Sequence, residues 1–278
     1  MNPSQENAYP HDHPALRLFR RLLLPSPSGR EQPVRAVVLE IVADAGFTAE
    51  TDAAGNVLVR LPGREDDAPL CALAAPMDEI GMVVTAVAED GRLRVSRSGG
   101  LMPWKLGEGP VDILGDRETI TGVLAMGSTH RRDAAEQAIT WDDVVVLTGL
   151  TPTQLKARGV RPGTLAVPVR ERRGPVLFGD PADPLVGAWT FDDRMGVVAL
   201  LRLLQTIKEE GIAPRRPTLV AFTVSEEIGG FGAKVLCRRE QPPIFVSVDG
   251  ARADPLECDD FGPFARRDLV EQDTRRPR

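Results

Sequence analysis

Acidic residues fall at four points of this chain where chemistry is easily built. Asp78 and Glu79 follow the apolar run "PLCALAAPM". Asp192, in "AWTFDDRMG", opens a long amphipathic stretch. Glu226 and Glu227 follow "PTLVAFTV", and Asp249 follows "PIFVSV". Carboxylates sharing a small volume repel and raise one another's pKa unless a cation neutralises them. With a divalent cation they become ligands, and a further Glu is free to accept a proton. A second use of such acids is glycoside hydrolysis, which needs carboxyl groups ~5–9.5 Å apart. The adjacency of Glu226 and Glu227 does not supply that spacing, though Asp192 or Asp249 could, and an aromatic content of 5% is poor for a sugar cleft.

The elements that would position these acids can be read from periodicity. Residues 14–24 read as a short helix. A second helix starts near Ser28, where Glu31 three residues later suggests a capping box, and ends at Gly46. "FTAETDAAGNVLVRLPG" reads as two strands joined by a turn at Ala54–Asn56. The runs at 70–75, 218–224 and 244–248 are continuous and apolar, as strands of a sheet covered on both faces should be. After Asp192 the helical period returns through Met195, Val198, Leu201 and Leu204 until Gly211. Each acid therefore sits past a strand end or at a helix start, on the carboxyl edge of an open sheet where sites form. Arg194 is expected to brace the Asp192 turn by pairing with a carboxylate.

Residues 83–180 differ in character. Short alternating strands ("RLRVSRS", "GPVDIL", "ETITGVLAM", "DDVVVLTG", "GTLAVPV") and many glycines predict a small β domain, with Trp104 and Trp141 packing it. The basic stretches "RERRGP" and "RREQPP" read as solvated loops. The predicted fold class is α/β: a mostly parallel sheet with helices on both faces, interrupted by a β-barrel-like insertion. The expected segments are a flexible N-terminus at 1–13, an α/β domain at 14–82 and 184–254, the insertion at 83–183, and a charged tail at 255–278.

Composition bounds the rest. The chain has 278 residues, 34 basic and 40 acidic, for a net charge of −6, which argues against nucleic acid as partner. The three cysteines, Cys71, Cys237 and Cys258, are odd in number and far apart, so a reducing cytoplasm is expected. The N-terminus lacks a secretory signal's apolar core, and no apolar run reaches the ~20 residues of a membrane span.

Taken together, "PSPSGRE", "DAAGNVLVR", "AAPMDEIGMVVTAVAEDGRLRVSRSGGL", "GVRPGTLAV", "GAWTFDDRMGVVALLRLL", "AFTVSEEIGGFGA" and "VSVDGARADP" resemble, in order, the glutamyl and tetrahedral aminopeptidase family, some members of which carry deblocking-aminopeptidase or endoglucanase labels. The resemblance implies a dinuclear metallopeptidase acting on peptides and using zinc or cobalt, with an inserted dimerisation domain and dimers built into larger assemblies. It implies Asp192 as the metal-bridging aspartate, Glu227 and Asp249 as metal ligands, Glu226 as general base, and Asp78 as the aspartate that orients a metal-binding histidine.

Two departures weaken that reading. The family pattern His-Met-Asp-Glu-hydrophobic-Gly is here Pro76-Met77-Asp78-Glu79-Ile80-Gly81, and proline offers a metal no lone pair. The family's other ligand histidine lies in a C-terminal region that "LECDDFGPFARRDLVEQDTRRPR" does not resemble. Of the histidines, His11 and His13 are expected in a mobile terminus and His130 on the surface of the insertion. The remaining donors, Asp192, Glu227 and Asp249, are all oxygen. That favours weak manganese or magnesium binding, or none, over zinc. The expectation is a weak or inactive aminopeptidase homologue. The alternative is a non-catalytic peptide-binding or assembly subunit, associating through residues 83–183.

Overall fold

The computed structural model describes residues 13–65, 67–127 and 138–250. The chain opens with α1 (Pro14–Leu22) and α2 (Gln32–Asp44), then β1 (Ala49–Thr51), β2 (Val57–Leu61) and β3 (Cys71–Pro76). Next come β4 (Gly81–Val87), β5 (Leu93–Ser98), α3 (Pro103–Leu106), β6 (Gly109–Leu114), β7 (Thr119–Ala125), β8 (Val145–Leu147), α4 (Pro152–Ala157) and β9 (Leu165–Pro168). A short α5 (Arg170–Arg173) leads to the hairpin β10 (Val176–Asp180) and β11 (Asp183–Gly187). The chain then makes α6 (Phe191–Glu209), β12 (Thr218–Thr223), α7 (Phe231–Glu240) and β13 (Ile244–Ser247).

Five strands form one sheet in the order β1-β2-β12-β3-β13. β12, β3 and β13 run parallel, with Val220 opposite Leu73 and Val246 opposite the same residue on the other side. β2 joins β12 antiparallel and carries β1 as its hairpin partner. Alternation along each strand divides the side chains between two cores. Val57, Val59, Val220 and Phe222 face α1, α2 and α6, with Phe19, Val38, Leu201 and Leu204. Leu58, Ala72, Ala74, Leu219 and Ala221 face the other way, against Leu236 of α7. Each fully buried Val, Leu or Phe among them is worth about 1.5–3 kcal/mol.

β4-β5-β8-β7-β6-β9 close into an antiparallel barrel with its own core, among it Met82, Leu93, Ile113, Leu124, Val146 and Leu155. The barrel leaves the sheet directly after β3 and returns through β10–β11. The expected boundary at 183 falls inside that hairpin, whose Leu177 and Val186 pack on the sheet's core.

Several local expectations need correction. Trp104 is 68% exposed and does not pack the barrel; Trp141 does. Ser28 and Glu31 do not form a capping box: α2 starts after Glu31 without a side-chain cap, and both residues bond to the acidic rim instead. "RERRGP" is not a solvated loop, because Arg173 is buried. His11, His130, the N-terminal residues 1–12, Cys258 and the tail at 255–278 lie outside the described residues; His13 is exposed at the start of α1. No helix among the described residues is long and apolar enough to cross a membrane.

Candidate metal centre

The parallel strands deliver their acids to one rim. Asp78 follows β3, Glu226 and Glu227 follow β12, Asp249 follows β13, and Asp192 and Asp193 open α6, which packs on β3. The register Thr223↔Pro76 puts the ends of β12 and β3 level. Pro76 closes β3 as a buried residue.

Asp78 is 1% exposed and works on the backbone around it. Its Oδ1 accepts from the Glu226 N–H at 2.9 Å, and its Oδ2 accepts from the Ser28 hydroxyl at 2.6 Å and the Glu227 N–H at 3.2 Å. Glu31 does the same one residue earlier, accepting from the Ser225 N–H at 3.1 Å. Ser225 has φ +54 and Gly230, the residue before α7, φ +65, so the loop between β12 and α7 is sharply turned and needs these acceptors to hold it. Gly232 completes the packing: a Cβ there would overlap the Asn56 amide and the Val224 carbonyl.

Glu79 is held by other partners. Its carboxylate accepts from Arg173 Nη2 at 2.7 and 2.8 Å and from the Ser26 N–H at 2.6 Å, all in the interior. Arg194, with no exposed surface, donates to the carbonyls of Leu22 (3.0 Å), Met77 (2.7 Å) and Asp78 (3.0 Å) and to the Ser26 hydroxyl. It ties the start of α6 to the end of β3 through main-chain oxygens, where a carboxylate partner was expected.

The remaining acids face one another. Asp192, Asp193 and Asp249 each offer a carboxylate oxygen, all within 4.8 Å of one another. Asp192 and Glu227 line a cleft of about 350 Å³ with Ile80, Gly100, Lys105 and Trp189, so the barrel supplies one wall. Burial raises the Asp192 pKa, as do the Asp249 charge and a hydrogen bond between the two side chains, while Lys105 opposes the rise. Asp193 is pushed up to about 8, first by burial and then by the Asp249 charge. Glu227 is pushed up to about 7, first by burial and then by Glu226. Glu226 is raised too, by burial and then by the Asp249, Asp78 and Asp192 charges. Asp193 was not foreseen from sequence; its adjacency to Asp192 was the only signal.

This donor set fits a divalent cation. Asp193 Oδ2 is buried without a hydrogen-bond partner, and the clustered donors are oxygens, which suit hard ions such as magnesium or manganese better than zinc.

A model of the M42 glutamyl aminopeptidase family matches residues 55–262. The chain belongs to that family. M42 aminopeptidases are divalent-metal enzymes. The chain is 27% identical over 248 residues to the glutamyl aminopeptidase of Lactococcus lactis subsp. cremoris, covering 84% of this chain and 66% of that protein. It is 28% identical over 232 residues to the lysyl aminopeptidase of Pyrococcus furiosus, covering 81% and 63%. Among solved structures, an aminopeptidase from the archaeon Desulfurococcus kamchatkensis superposes with a TM-score of 0.74 at 26% identity, covering 87% of this chain and 64% of that one. The Pyrococcus horikoshii TET1 peptidase, which assembles into a tetrahedron or a large octahedral shell, superposes at 0.72 with 27% identity, covering 87% and 71%. The M42 chain thus spans less than two thirds of the length of both curated relatives, at 66% and 63%. Two neighbours titled as endoglucanase or peptidase/endoglucanase share 22% and 24% identity and speak to fold alone.

Proposed function

We propose that this M42 chain is a metallo-aminopeptidase whose cation site is impaired by Pro76, so that it releases N-terminal residues from peptides weakly. The observation that carries the reading is the convergence of Asp192, Asp193 and Asp249 within 4.8 Å on the rim of a sheet that belongs to this family. Asp192, Glu227 and Asp249 are the residues that hold the cation. A divalent cation there supplies Lewis-acid polarisation of a peptide carbonyl.

The chain's own groups supply the rest. Glu226 acts as general base, its carboxyl raised by burial and by three acidic neighbours toward the range where proton exchange is efficient. Asp78 positions the Glu226–Glu227 main chain through two N–H groups. The cleft wall of Ile80 and Trp189 excludes water from one side of the substrate. Position 76 supplies no nitrogen donor, so affinity is lower than the family pattern implies, and the preferred ion is manganese or magnesium.

Association is part of the reading. Val123 and Leu147, opposite each other on β7 and β8, are 47% and 43% exposed and give the barrel an apolar outer patch for a second copy. The assembly of the TET1 relative supports this, and the cytoplasm is the proposed compartment. The test is metal content after purification, with hydrolysis of aminoacyl-nitroanilides in manganese. Slow, manganese-dependent release that is abolished by Asp192→Asn supports the reading; no cation bound and no release overturn it. Pro76→His should raise zinc affinity about tenfold or more relative to manganese.

A further inference from the structure

One member of the acidic cluster caps the regular part of α6 with a single oxygen. Asp193 is 3% exposed, yet only half of its carboxylate is engaged. Oδ1 accepts from the Gly196 N–H at 3.0 Å, inside the first turn of α6. Oδ2 is buried and has no hydrogen-bond partner. Residue 196 is glycine, and a Cβ there would overlap the Asp193 carboxylate, so the helix start is shaped around that group. The Asp193 carboxylate is also within 4.8 Å of ligand atoms on Asp192 and Asp249. A bare carboxylate oxygen buried in protein is among the costliest groups to leave without a partner. A proton removes that cost, and so does a cation shared with two further carboxylates, which leaves all three ionised.

We propose that Asp193 is itself a ligand, with Asp192 and Asp249, of one hard divalent cation, supplying from the helix start a donor that Pro76 cannot. The proposal rests on the cation-binding reading above and adds a ligand to it. Consecutive residues 192 and 193 reach one ion from a single turn, and Asp249 closes the set from the neighbouring strand end. With Glu227 of that reading the donors are all oxygen, which favours manganese or magnesium over zinc. The Gly196 N–H fixes one Asp193 oxygen and thereby orients the other.

The test titrates manganese chloride into metal-free full-length protein, reading free manganese by electron paramagnetic resonance. Asp193→Asn keeps an oxygen for the Gly196 N–H and removes the charge. It is expected to weaken manganese binding about tenfold or more. An unchanged affinity in folded Asp193→Asn overturns the proposal and leaves the cation reading standing. No manganese site in the unaltered protein overturns both. A second measurement needs no substitution. In carbon-13-labelled unaltered protein, diamagnetic magnesium should move the side-chain carboxyl signal of Asp193 as far as those of Asp192 and Asp249. An unmoved Asp193 signal beside shifted partners overturns the proposal, even where Asp193→Asn does not fold.

Discussion

Two acidic pairs share the rim of this sheet and are balanced in opposite ways. Asp78 and Glu79 are both 1% exposed, and protein donors meet both carboxylates: two N–H groups and a hydroxyl for Asp78, Arg173 and an N–H for Glu79. Asp192 and Asp193 face Asp249 instead, and both are raised, first by burial and then by that charge. The difference separates framework from site. Acids met by donors hold the loops in place, whereas acids met by other acids call for a cation from outside. Sharing a rim, the two pairs can be told apart by what their removal does.

The largest effect is expected from the interior ion pair. Arg173 and Glu79 each expose 1% of their side chain, so Arg173→Ala leaves a buried carboxylate without its cation. Such a loss costs about 3–5 kcal/mol, read as the shift in denaturant midpoint. A loss under about 1 kcal/mol would place Glu79 with the site rather than the framework. Next comes Asp78→Ala, which removes the acceptor for the Ser28 hydroxyl and the Glu226 and Glu227 N–H groups. A cost of about 2–3 kcal/mol is expected. Manganese affinity should fall with it, by about 10–100-fold, because the loop carrying Glu227 loses its anchor. Lost stability with unchanged affinity would detach Asp78 from the site.

The same division explains what the sequence could show. Strands 71–76, 218–223 and 244–247 and the helix after Asp192 were legible because burial on a sheet or a helix face imprints a period on neighbouring residues. The barrel was legible as a change in that period. Ser28 and Glu31 misled because their spacing fits a local cap, while their partners, Asp78 and Ser225, are 50 and 194 residues away. Arg173 misleads for the same reason: in a run of arginines it reads as solvent-facing, and its partners, Glu79 and the Leu24 carbonyl, lie 94 and 149 residues earlier. Residue type alone places Trp104 in a core, and type does not say which face of a short helix meets the barrel. Asp193 was overlooked because adjacent acids at a helix start look alike until one is buried.

The metal-free protein sharpens the comparison through pH. Asp193 at about 8 and Glu227 at about 7 hold their protons more tightly folded than unfolded, where carboxyls titrate near 4. Their contribution to stability is whole below the unfolded value and is lost as pH rises through 7 to 8. The melting temperature of metal-free protein should therefore fall between pH 6 and pH 9, on the order of 5 °C, and manganese should cancel the fall. A flat profile without metal would mean that the cluster's charges are already balanced.

Asp192→Asn is the smallest effect and the most discriminating in sign. Asp192 meets the Asp249 charge across the cluster, so removing its own charge relieves repulsion in the metal-free protein. At pH 8 the variant should melt about 2 °C higher than the unaltered chain, roughly the shift that ~1 kcal/mol produces in a protein of this size. In manganese the order should reverse, because only the unaltered chain gains the bound cation's stabilisation. Asp78→Ala has no such crossover, being destabilised with or without metal. An acid whose loss stabilises one form and weakens the other belongs to a ligand set; one whose loss weakens both belongs to the frame that holds it.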